Sequence, residues 1–391
     1  GREWFMGTGS MRLAIVIEHA LTRPWNDTGP WAAALAAGFV GRGWSVRVLA
    51  DTVLDRRPFR DAGAELVLRR PEGTFVKARP LSYRAWAERH ARDGSDVALS
   101  LTRIWAGDIW MPLGLSAREQ WDRVWVGKSP IQAAKAALHA PRLAQTAMAG
   151  RAAARDAGRA GVRPIRLGGP GASPDRVMAA SRLDRPDPDR VDRDRAAVRR
   201  VLGLGDGPVV LASAAHLGEP GWDTMLTGLA MGPDSIKLVV CGGSPHAAAV
   251  LARRAGVGDR VVPISGVDPV RMGALIAASD AVVLPSSHPD RHGSGRLAAD
   301  ALRIGRPVLA AAGAPGEGLV EPRGFGTPAV GVVVREPTPA RWAEALGLLA
   351  DARELASMTE AARSVGAGLG FEGLVERLAC RIELGSGRGR G

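Results

Sequence analysis

The most constraining feature of this 391-residue chain is the regular alternation of apolar strands and helices between residues 208 and 311. Strands are predicted at 208–213, 236–241, 260–264, 280–284 and 307–311. Helices are predicted between them, at 222–231, 246–255, 270–278 and 295–304. A strand that continues through a helix into another strand is typical of a parallel sheet covered by helices. The segment therefore predicts a doubly wound α/β domain.

The first half of the chain repeats the pattern less regularly. Strands are predicted at 13–18, 46–49, 64–68, 97–101 and 163–166, and helices at 31–41, 81–92 and much of 130–158. A Gly- and Pro-rich run at 168–174 and an Asp/Arg-dense stretch at 182–200 interrupt it, which is typical of a connection between domains. We therefore expect one domain over 11–170 and a second over 171–370. The first ten residues precede Met11 and are treated as an upstream extension.

Composition indicates a soluble globular protein, since 46% of the residues are hydrophobic and 24% are charged. Charge is uneven: residues 1–200 carry 34 basic and 21 acidic side chains, and residues 201–391 carry 18 and 19. A basic half attracts anionic partners such as lipid headgroups or phosphorylated acceptors. A solvated arginine-rich surface with a charged connector at 151–200 explains the same count, so both interpretations stay open.

Cys241 and Cys380 are too few and too far apart for a disulfide framework, which favours a reducing cytoplasm. No apolar run approaches the length of a membrane span, so we expect any membrane contact to be peripheral. The sequence has no P-loop, no GxSxG elbow and no complete GxGxxG turn, which argues against kinase, hydrolase and dehydrogenase functions. No nucleic-acid-binding module is recognisable, and we expect no nucleic-acid partner.

In open parallel sheets, ligands bind beyond the carboxyl ends of the strands. The loops that follow predicted strands are therefore where function is expected. They are residues 18–28, 101–110, 214–221, 242–245 and 286–295.

Two segments, 278–285 and 305–309, together with the glycine-containing loop between them, resemble retaining nucleotide-sugar glycosyltransferases of the GT-B fold, of the glycosyltransferase group 1 or family 4 type. Within that group, segments 105–110 and 170–176 are most similar to lipopolysaccharide-core glucosyltransferases. The resemblance extends from Met11 to about Leu384. It implies an α/β protein with two Rossmann-like domains facing across a cleft, and a C-terminal helix at 371–384 that crosses back to the first domain.

The resemblance also implies a donor site in the second domain. Enzymes of this group place an Arg and a Lys after the first strand of that domain, but here the Lys position falls on Pro220 and only His216 offers a proton donor nearby. Backbone N–H groups would have to receive the donor phosphates instead. The candidates are Gly242, Gly243, Gly293, Ser294 and Gly295. Tight turns explain a glycine pair equally well.

Two acidic residues eight positions apart are also typical of the group, and they fall here on His292 and Asp300. Asp300 can accept hydrogen bonds from ribose hydroxyls, and His292 can bond a sugar hydroxyl. Arg291 or Arg296 can replace the missing phosphate cation, because a guanidinium matches phosphate oxygens well, although a surface arginine is the plainer interpretation of each. The segment 288–292 can also be interpreted as a metal site, but it contains only two His and one Asp.

On the first domain, Asp108 matches the position where the similar glucosyltransferases carry an acidic residue that faces the acceptor, and we expect it to orient an acceptor hydroxyl. An aspartate that caps a loop is the alternative. Thr28 and Gly29, at the start of the first helix, are expected to approach the donor phosphates through their N–H groups.

The resemblance implies a hexosyltransferase that moves a sugar from a nucleoside-diphosphate donor to an anionic lipid-linked or polysaccharide acceptor, with retention and without a metal or cofactor. The cysteine content and the lack of a membrane-length apolar run favour a cytoplasmic location. An alternative follows from Pro220 and His292, which both depart from the pattern. Such a chain would be a catalytically silent GT-B protein that binds a glycan or a partner glycosyltransferase.

Overall fold

The computed structural model describes residues 10–20, 28–69, 79–102, 107–111, 148, 152, 155, 159, 187–214, 217, 221–267, 269–286, 294–314, 316–320 and 329–387. The chain divides into two compact units. The first comprises Gly1–Ile165 and Val375–Gly391, and the second comprises Arg166–Leu374. The predicted strand at 163–166 and the boundary predicted at residue 170 fall outside the described residues.

The first unit contains a parallel sheet of five strands in the order β3-β2-β1-β4-β5. Its strands are β1 Arg12–Ala20, β2 Ser45–Val53, β3 Glu65–Leu68, β4 Val97–Ser100 and β5 Ile109–Trp110. Its described helices are α1 Thr28–Gly41, α2 Arg57–Asp61 and α3 Arg79–Arg92. Leu13 to Ile17 in β1 are all 0% exposed, which is expected of a strand buried on both faces.

The second unit contains a parallel sheet of six strands in the order β11-β10-β9-β6-β7-β8. Its strands are β6 Val209–Ser213, β7 Lys237–Cys241, β8 Val261–Ile264, β9 Ala281–Leu284, β10 Val308–Ala311 and β11 Gly331–Val334. Its described helices are α4 Pro188–Leu202, α5 Trp222–Met231, α6 Pro245–Arg254, α7 Pro269–Ala278, α8 Ser294–Arg303, α9 Glu317–Val320, α10 Pro339–Gly347 and α11 Ala352–Ala367. The doubly wound α/β prediction is confirmed.

Helix α4 corrects the sequence interpretation of 182–200 as a charged connector. Asp187 caps the helix by accepting the N–H of Asp189, and Gly203 ends it in the left-handed region at φ 62°. Val191, Val198 and Leu202 pack against the core of the second unit. Their spacing of seven and four residues places them on one helical face, which the dense charges around them obscure in the sequence.

Two arginines of α4 join the second sheet at its amino edge. The carboxylate of Asp280 accepts hydrogen bonds from Nη2 of Arg195 and from Nη2 of Arg199, at 2.6 Å each. The carboxylate also accepts the backbone N–H of Val209 at 2.7 Å. Asp280 belongs to the segment on which the family resemblance rests, and its role here is to hold α4, β6 and β9 together.

Arg306 belongs to the same edge and to the second segment of the resemblance. Its Nη2 donates to the carbonyl of Ala277 at 2.8 Å. Burial lowers the pKa of Arg306 to about 10, and the charge of Arg195 lowers it as well. Both resemblance segments thus contribute charged side chains to the framework of the sheet, on the edge opposite to the one where ligands bind in such sheets.

The last helix, α12 Phe371–Gly387, starts at the end of the second unit, and its residues from Val375 onward belong to the first unit. There Arg42, at the end of α1, forms an ion pair with Glu376. Gly38 leaves room for Val375, because a Cβ at position 38 would overlap the valine side chain. No helix in the described part of the chain is long and apolar enough to cross a membrane.

Candidate functional site

The order of strands in the second unit defines one point where a ligand site is expected. The chain proceeds outward from β6 through β7 to β8, then returns to β9 and proceeds in the other direction through β10 to β11. β6 and β9 are neighbours in the sheet, so the loops that follow them leave in opposite directions. In doubly wound sheets, a crevice opens between two such loops and is the usual place for a ligand.

The loops after β6 and β9 lie against each other in the described structure. Gly221, which precedes α5, has a φ of 105°, and a Cβ there would overlap the carbonyl oxygen of Pro285 just after β9. Only glycine fits both the backbone conformation and the contact. The beginning of α5 is therefore held directly beside the end of β9.

Gly242 and Gly243 form the turn between β7 and α6, with φ of 79° and 64°. The N–H of Gly242 donates to the carbonyl of Ile264 at 2.9 Å, so this donor is already used within the unit, which gives no support to our phosphate expectation. At Gly243, a Cβ would lie 3.0 Å from the carbonyl oxygen of Ala214. Both glycines thus have structural roles, and phosphate binding by Gly243 stays a prediction.

Helix α8 follows the loop after β9, and its second turn carries the predicted ribose ligand. Asp300 has an 8% exposed side chain, and its Oδ2 lies 3.8 Å from Nε of Arg296, whose side chain is 29% exposed. Leu297, Ala299 and Ala301 pack into the core, and Asp300 is buried among them. Arg296 and Asp300 meet through the i, i+4 spacing of the helix. Two sequence candidates, Arg296 and Asp300, are therefore brought together.

The remaining candidates of the second unit are only partly described. Ser294 and Gly295 form the first two residues of α8. His216, His292 and Gly293 lie outside the described residues, as does most of the segment 288–292. Among the residues that the structure describes, no three His, Cys, Asp or Glu side chains are grouped as a metal site requires.

In the first unit, the corresponding switch point lies between β1 and β4, which are neighbours in the sheet. Helix α1 follows β1 and begins at Thr28 and Gly29, so the predicted pair does occupy a helix amino terminus beside the switch point. Gly29 is buried. Its contact with a ligand phosphate stays a prediction.

Asp108 is placed differently from the expectation. Its Oδ2 accepts the N–H of Ala98 at 2.7 Å, and its own N–H donates to the carbonyl of Ala98 at 3.0 Å. Asp108 precedes β5 and lies level with the early part of β4, whereas ligands bind beyond the carboxyl ends of the strands. The structure therefore favours the capping alternative and gives no support to an acceptor-activating role.

A polar cluster that the sequence reasoning missed lies near the carboxyl ends of β2 and β3. Arg69 Nη1 is 3.8 Å from Asp51 Oδ1, with both side chains nearly buried, and Arg69 Nη2 donates to Ser82 Oγ at 2.9 Å. Tyr83 of α3 donates its hydroxyl to the carbonyl of Ile17. The position of Asp51 directly after an apolar run was the available signal, because an acidic residue there lies at the carboxyl edge.

The charges of this cluster affect the pKa of Tyr83. Burial raises the pKa of its hydroxyl well above the ordinary value, and the carboxylates of Glu18 and Asp51 raise it further. Arg69 acts in the opposite direction. The Tyr83 hydroxyl therefore stays protonated near neutral pH, which suits a rigid support for the switch point of the first unit.

A family model matches the part of the chain that contains this geometry. Residues 194–365 match the family model described as glycosyl transferases group 1. This range contains β6, β9, α8 and the switch point between them. No curated protein is similar to the chain in sequence.

Several solved structures share the fold. WaaG, a glycosyltransferase involved in lipopolysaccharide biosynthesis, is 20% identical, with 95% of this chain and 99% of that chain covered at a TM-score of 0.57. Anabaena Alr3699/HepE, in complex with UDP and glucose, is 15% identical over 95% and 99% of the two chains at a TM-score of 0.56. The lipopolysaccharide outer core galactosyltransferase WaaB is 12% identical, with 95% of this chain and 99% of that chain covered at a TM-score of 0.54.

Proposed function

We propose that this chain, which has the GT-B fold and whose residues 194–365 match the glycosyl transferases group 1 model, transfers a hexose from a nucleoside-diphosphate sugar to a lipid-linked or polysaccharide acceptor. One observation carries the proposal. The matched domain contains a topological switch point at β6 and β9 whose two loops are packed against each other through Gly221 and Pro285. A nucleotide bound at that edge would lie beside the amino terminus of α8, which suits a diphosphate.

The donor is proposed to bind with its sugar and phosphates toward the loop after β9. His216 and His292 are proposed to bond the sugar or phosphate, and N–H groups from Gly293 to Gly295 the phosphates. Asp300 is proposed to lie near the ribose. Because HepE is described in complex with UDP and glucose, a uridine nucleotide is the first donor to test.

The acceptor is proposed to bind at the carboxyl edge of the first sheet, near the start of α1. Asp108 is left out of this proposal because its carboxylate is bonded to Ala98. WaaG is a glycosyltransferase involved in lipopolysaccharide biosynthesis, and WaaB is a lipopolysaccharide outer core galactosyltransferase. A cell-envelope glycan is therefore the acceptor class to test. Retention of configuration by front-face displacement, without a protein-bound metal, belongs to the same proposal.

The test is a calorimetric titration of the full chain with UDP, GDP and ADP and with UDP-glucose, GDP-mannose and ADP-glucose. We expect one nucleotide class to bind and to raise the melting temperature, because a ligand at about 100 times its Kd stabilises the native state by about 2.7 kcal/mol. Release of the nucleoside diphosphate from the matching sugar donor is then measured with and without EDTA and an acceptor extract. Mass spectrometry and NMR of the product give the sugar and its configuration.

Failure has a clear form. If no nucleotide or nucleotide sugar binds at millimolar concentration, the donor site does not exist and the silent GT-B alternative is favoured. If a nucleotide binds but no sugar is transferred to any acceptor, the chain is a nucleotide-binding protein without the proposed activity. Glycan arrays and partner capture would then follow.

A peripheral membrane location at the cytoplasmic face is a finer part of the proposal, based on the excess of basic residues in 1–200. Co-sedimentation with vesicles of anionic or neutral phospholipid tests it. We expect binding to the anionic vesicles that weakens with salt. Equal recovery with both vesicles would remove this part and leave the transferase proposal intact.

A further inference from the structure

The described edge of the second unit contains very few cations where a diphosphate is proposed to bind. Among the described residues of the loops after β6, β7 and β9, and of the first helical turn after each, Arg296 is the one arginine or lysine. A diphosphate at that edge would carry concentrated negative charge, and guanidinium groups match phosphate oxygens in geometry. Arg296 is therefore the described side chain best suited to neutralise it.

The position of Arg296 is unfavourable for the helix alone. The first turn of α8 contains no acidic residue, and the amino terminus of a helix carries partial positive charge, which repels a cation. Asp300 lies four residues further on, so the Arg-to-Asp order is opposite to the one that the helix dipole favours. An anion at the start of α8 would be attracted both by the helix terminus and by Arg296.

Asp300 places a negative charge beside Arg296. Its side chain is 8% exposed, and a buried carboxylate needs a cation nearby to offset its desolvation. Arg296 Nε lies 3.8 Å from Asp300 Oδ2, close enough to contribute to that offset, and the arginine side chain as a whole is 29% exposed. The buried acid thus keeps the half-buried arginine side chain along the first two turns of α8.

Arg353 shows the contrasting arrangement in the same unit. It also lies in a first helical turn, at the start of α11, but Glu354 is in that turn and Asp351 caps the helix. Arg353 is exposed and its local charge is already balanced. It therefore provides a matched control for the loss of a first-turn arginine.

From these observations we infer that Arg296 is the cation that binds the donor diphosphate and that Asp300 is a positioning residue that holds its guanidinium there. The inference rests on the proposed function, since it needs a nucleotide at this edge. It assigns neutralisation of the phosphate charge to Arg296 of α8. In the loop after β6, the usual position of the phosphate-binding lysine is occupied by Pro220. It also changes the first role of Asp300 from a ribose ligand to a partner of Arg296.

The experiment separates phosphate recognition from ribose recognition. Calorimetry measures the Kd of uridine, UMP and UDP, and of the guanosine and adenosine series, for the wild type, Arg296→Met, Arg296→Lys, Asp300→Asn and Arg353→Met. We expect Arg296→Met to weaken the diphosphate by about tenfold or more, as for loss of a charge-assisted hydrogen bond, and to leave the nucleoside nearly unchanged. Arg296→Lys should recover part of the diphosphate affinity, and Arg353→Met should match the wild type.

Asp300→Asn distinguishes the two roles of the acid. An asparagine still accepts a hydrogen bond from a ribose hydroxyl, but it does not hold a guanidinium by charge. We expect this variant to lose affinity for UDP more than for uridine. Melting temperatures and circular dichroism of each variant show whether the domain remains folded, and Arg296→Lys keeps the test valid if Arg296→Met does not fold.

Each other outcome overturns the inference. Equal loss for nucleoside, monophosphate and diphosphate in Asp300→Asn, with Arg296→Met unchanged, would make Asp300 a direct ribose ligand. An unchanged diphosphate affinity in Arg296→Met would exclude Arg296 as the cation while the nucleotide site itself stands. Absence of any nucleotide binding by the wild type would remove the proposed function, and this inference with it.

Discussion

The carboxylate of Asp280 accepts the backbone N–H of Val209 at 2.7 Å, and the N–H of Asp280 donates to the carbonyl of Val209 at the same distance. These two bonds join the beginnings of β6 and β9, which are the two strands whose far ends form the switch point. Arg195 and Arg199 neutralise the carboxylate from α4. The amino edge of the sheet thereby fixes the spacing of the loops at the opposite edge.

Replacing Asp280 by Asn should destabilise the second unit by about 3 kcal/mol, because two half-buried or buried arginines lose their common counter-charge. Asparagine can still accept the Val209 N–H, so the change isolates the charge. Urea denaturation followed by tryptophan fluorescence measures the difference. Asp234→Asn is the control, since that side chain is fully exposed and should stay within about 0.5 kcal/mol of the wild type. Equal effects of the two changes would contradict this account.

Strands β6 to β10 and the helices α5 to α8 between them could be predicted because each of these buried strands is a short apolar run and each of these helices lies between two of them. Val209–Ser213 and Ala281–Leu284 are such runs, and their positions match the expectation closely. Helix α4 could not be predicted in this way. Its apolar face consists of Val191, Val198 and Leu202 among many charges, and its partners are distant in sequence.

The candidate site was predictable in part. The loops were predicted from the carboxyl-end rule, but the rule does not say which N–H groups are already bonded, as at Gly242, or which carboxylates serve the sheet, as at Asp108. The pairing of Arg296 with Asp300 follows from helical spacing alone. The burial of the Asp300 side chain depends on the core packed against α8, and this packing is visible only in the folded structure.

Tyr83 is the one tyrosine of the chain, so its ionisation can be followed directly by ultraviolet absorbance. Its pKa is raised in the native state by burial and by the nearby carboxylates. The neutral hydroxyl thus stabilises the fold below the unfolded pKa of about 10, and this contribution is lost as the pH rises above that value. We expect the native chain to titrate only at a pH where it unfolds. A normal titration without unfolding would contradict the buried position.

Tyr83→Phe removes the hydroxyl that donates to Ile17 and lies 3.2 Å from the carbonyl of Leu49. We expect a loss of about 1 to 2 kcal/mol in the free energy of unfolding, because a buried carbonyl is left without its donor. The variant should also lose the alkaline dependence that Tyr83 contributes. Denaturation at neutral and alkaline pH, compared with the wild type, measures both effects. A phenylalanine variant as stable as the wild type would show that the bond contributes nothing net.

The two cysteines should react very differently with a thiol reagent. Cys380 is exposed and Cys241 is buried at the end of β7. Burial raises the pKa of Cys241 to about 12, so the thiolate that the reagent needs is scarce at pH 8 even where access exists. One thiol per native chain and two per unfolded chain are expected, and Cys380→Ser should leave none in the native state. Rapid native labelling of Cys241 would mean that β7 opens.

The same raised pKa affects stability with a defined sign. The unfolded thiol ionises near 9 and the folded one near 12, so the contribution of Cys241 is complete below about 9 and is lost as the pH rises toward 12. Cys241→Ala should flatten this part of the pH dependence. Chemical denaturation at several alkaline pH values, with Cys380→Ser as the control, measures the change.

Gly221→Ala tests whether the contact between the loops after β6 and β9 is required. At φ 105°, an added Cβ would overlap the Pro285 carbonyl, so the loops must separate. Gly242→Ala is the matched control, since it also has a positive φ, 79°, but has no atom within 4 Å of the added Cβ. We expect a cost of about 1 kcal/mol for the control, from backbone conformation alone, and at least twice that for Gly221→Ala.

The separation of the loops should also appear in binding. If the crevice at β6 and β9 holds the donor, Gly221→Ala should weaken the nucleotide found by calorimetry by about tenfold, as expected when the groups of a site are displaced by a fraction of an ångström. Gly242→Ala should bind nearly as well as the wild type, since its N–H is bonded to Ile264. Equal weakening by both variants would place the nucleotide against the β7 turn as much as against the switch point. Unchanged binding in Gly221→Ala would move the donor site away from these two loops.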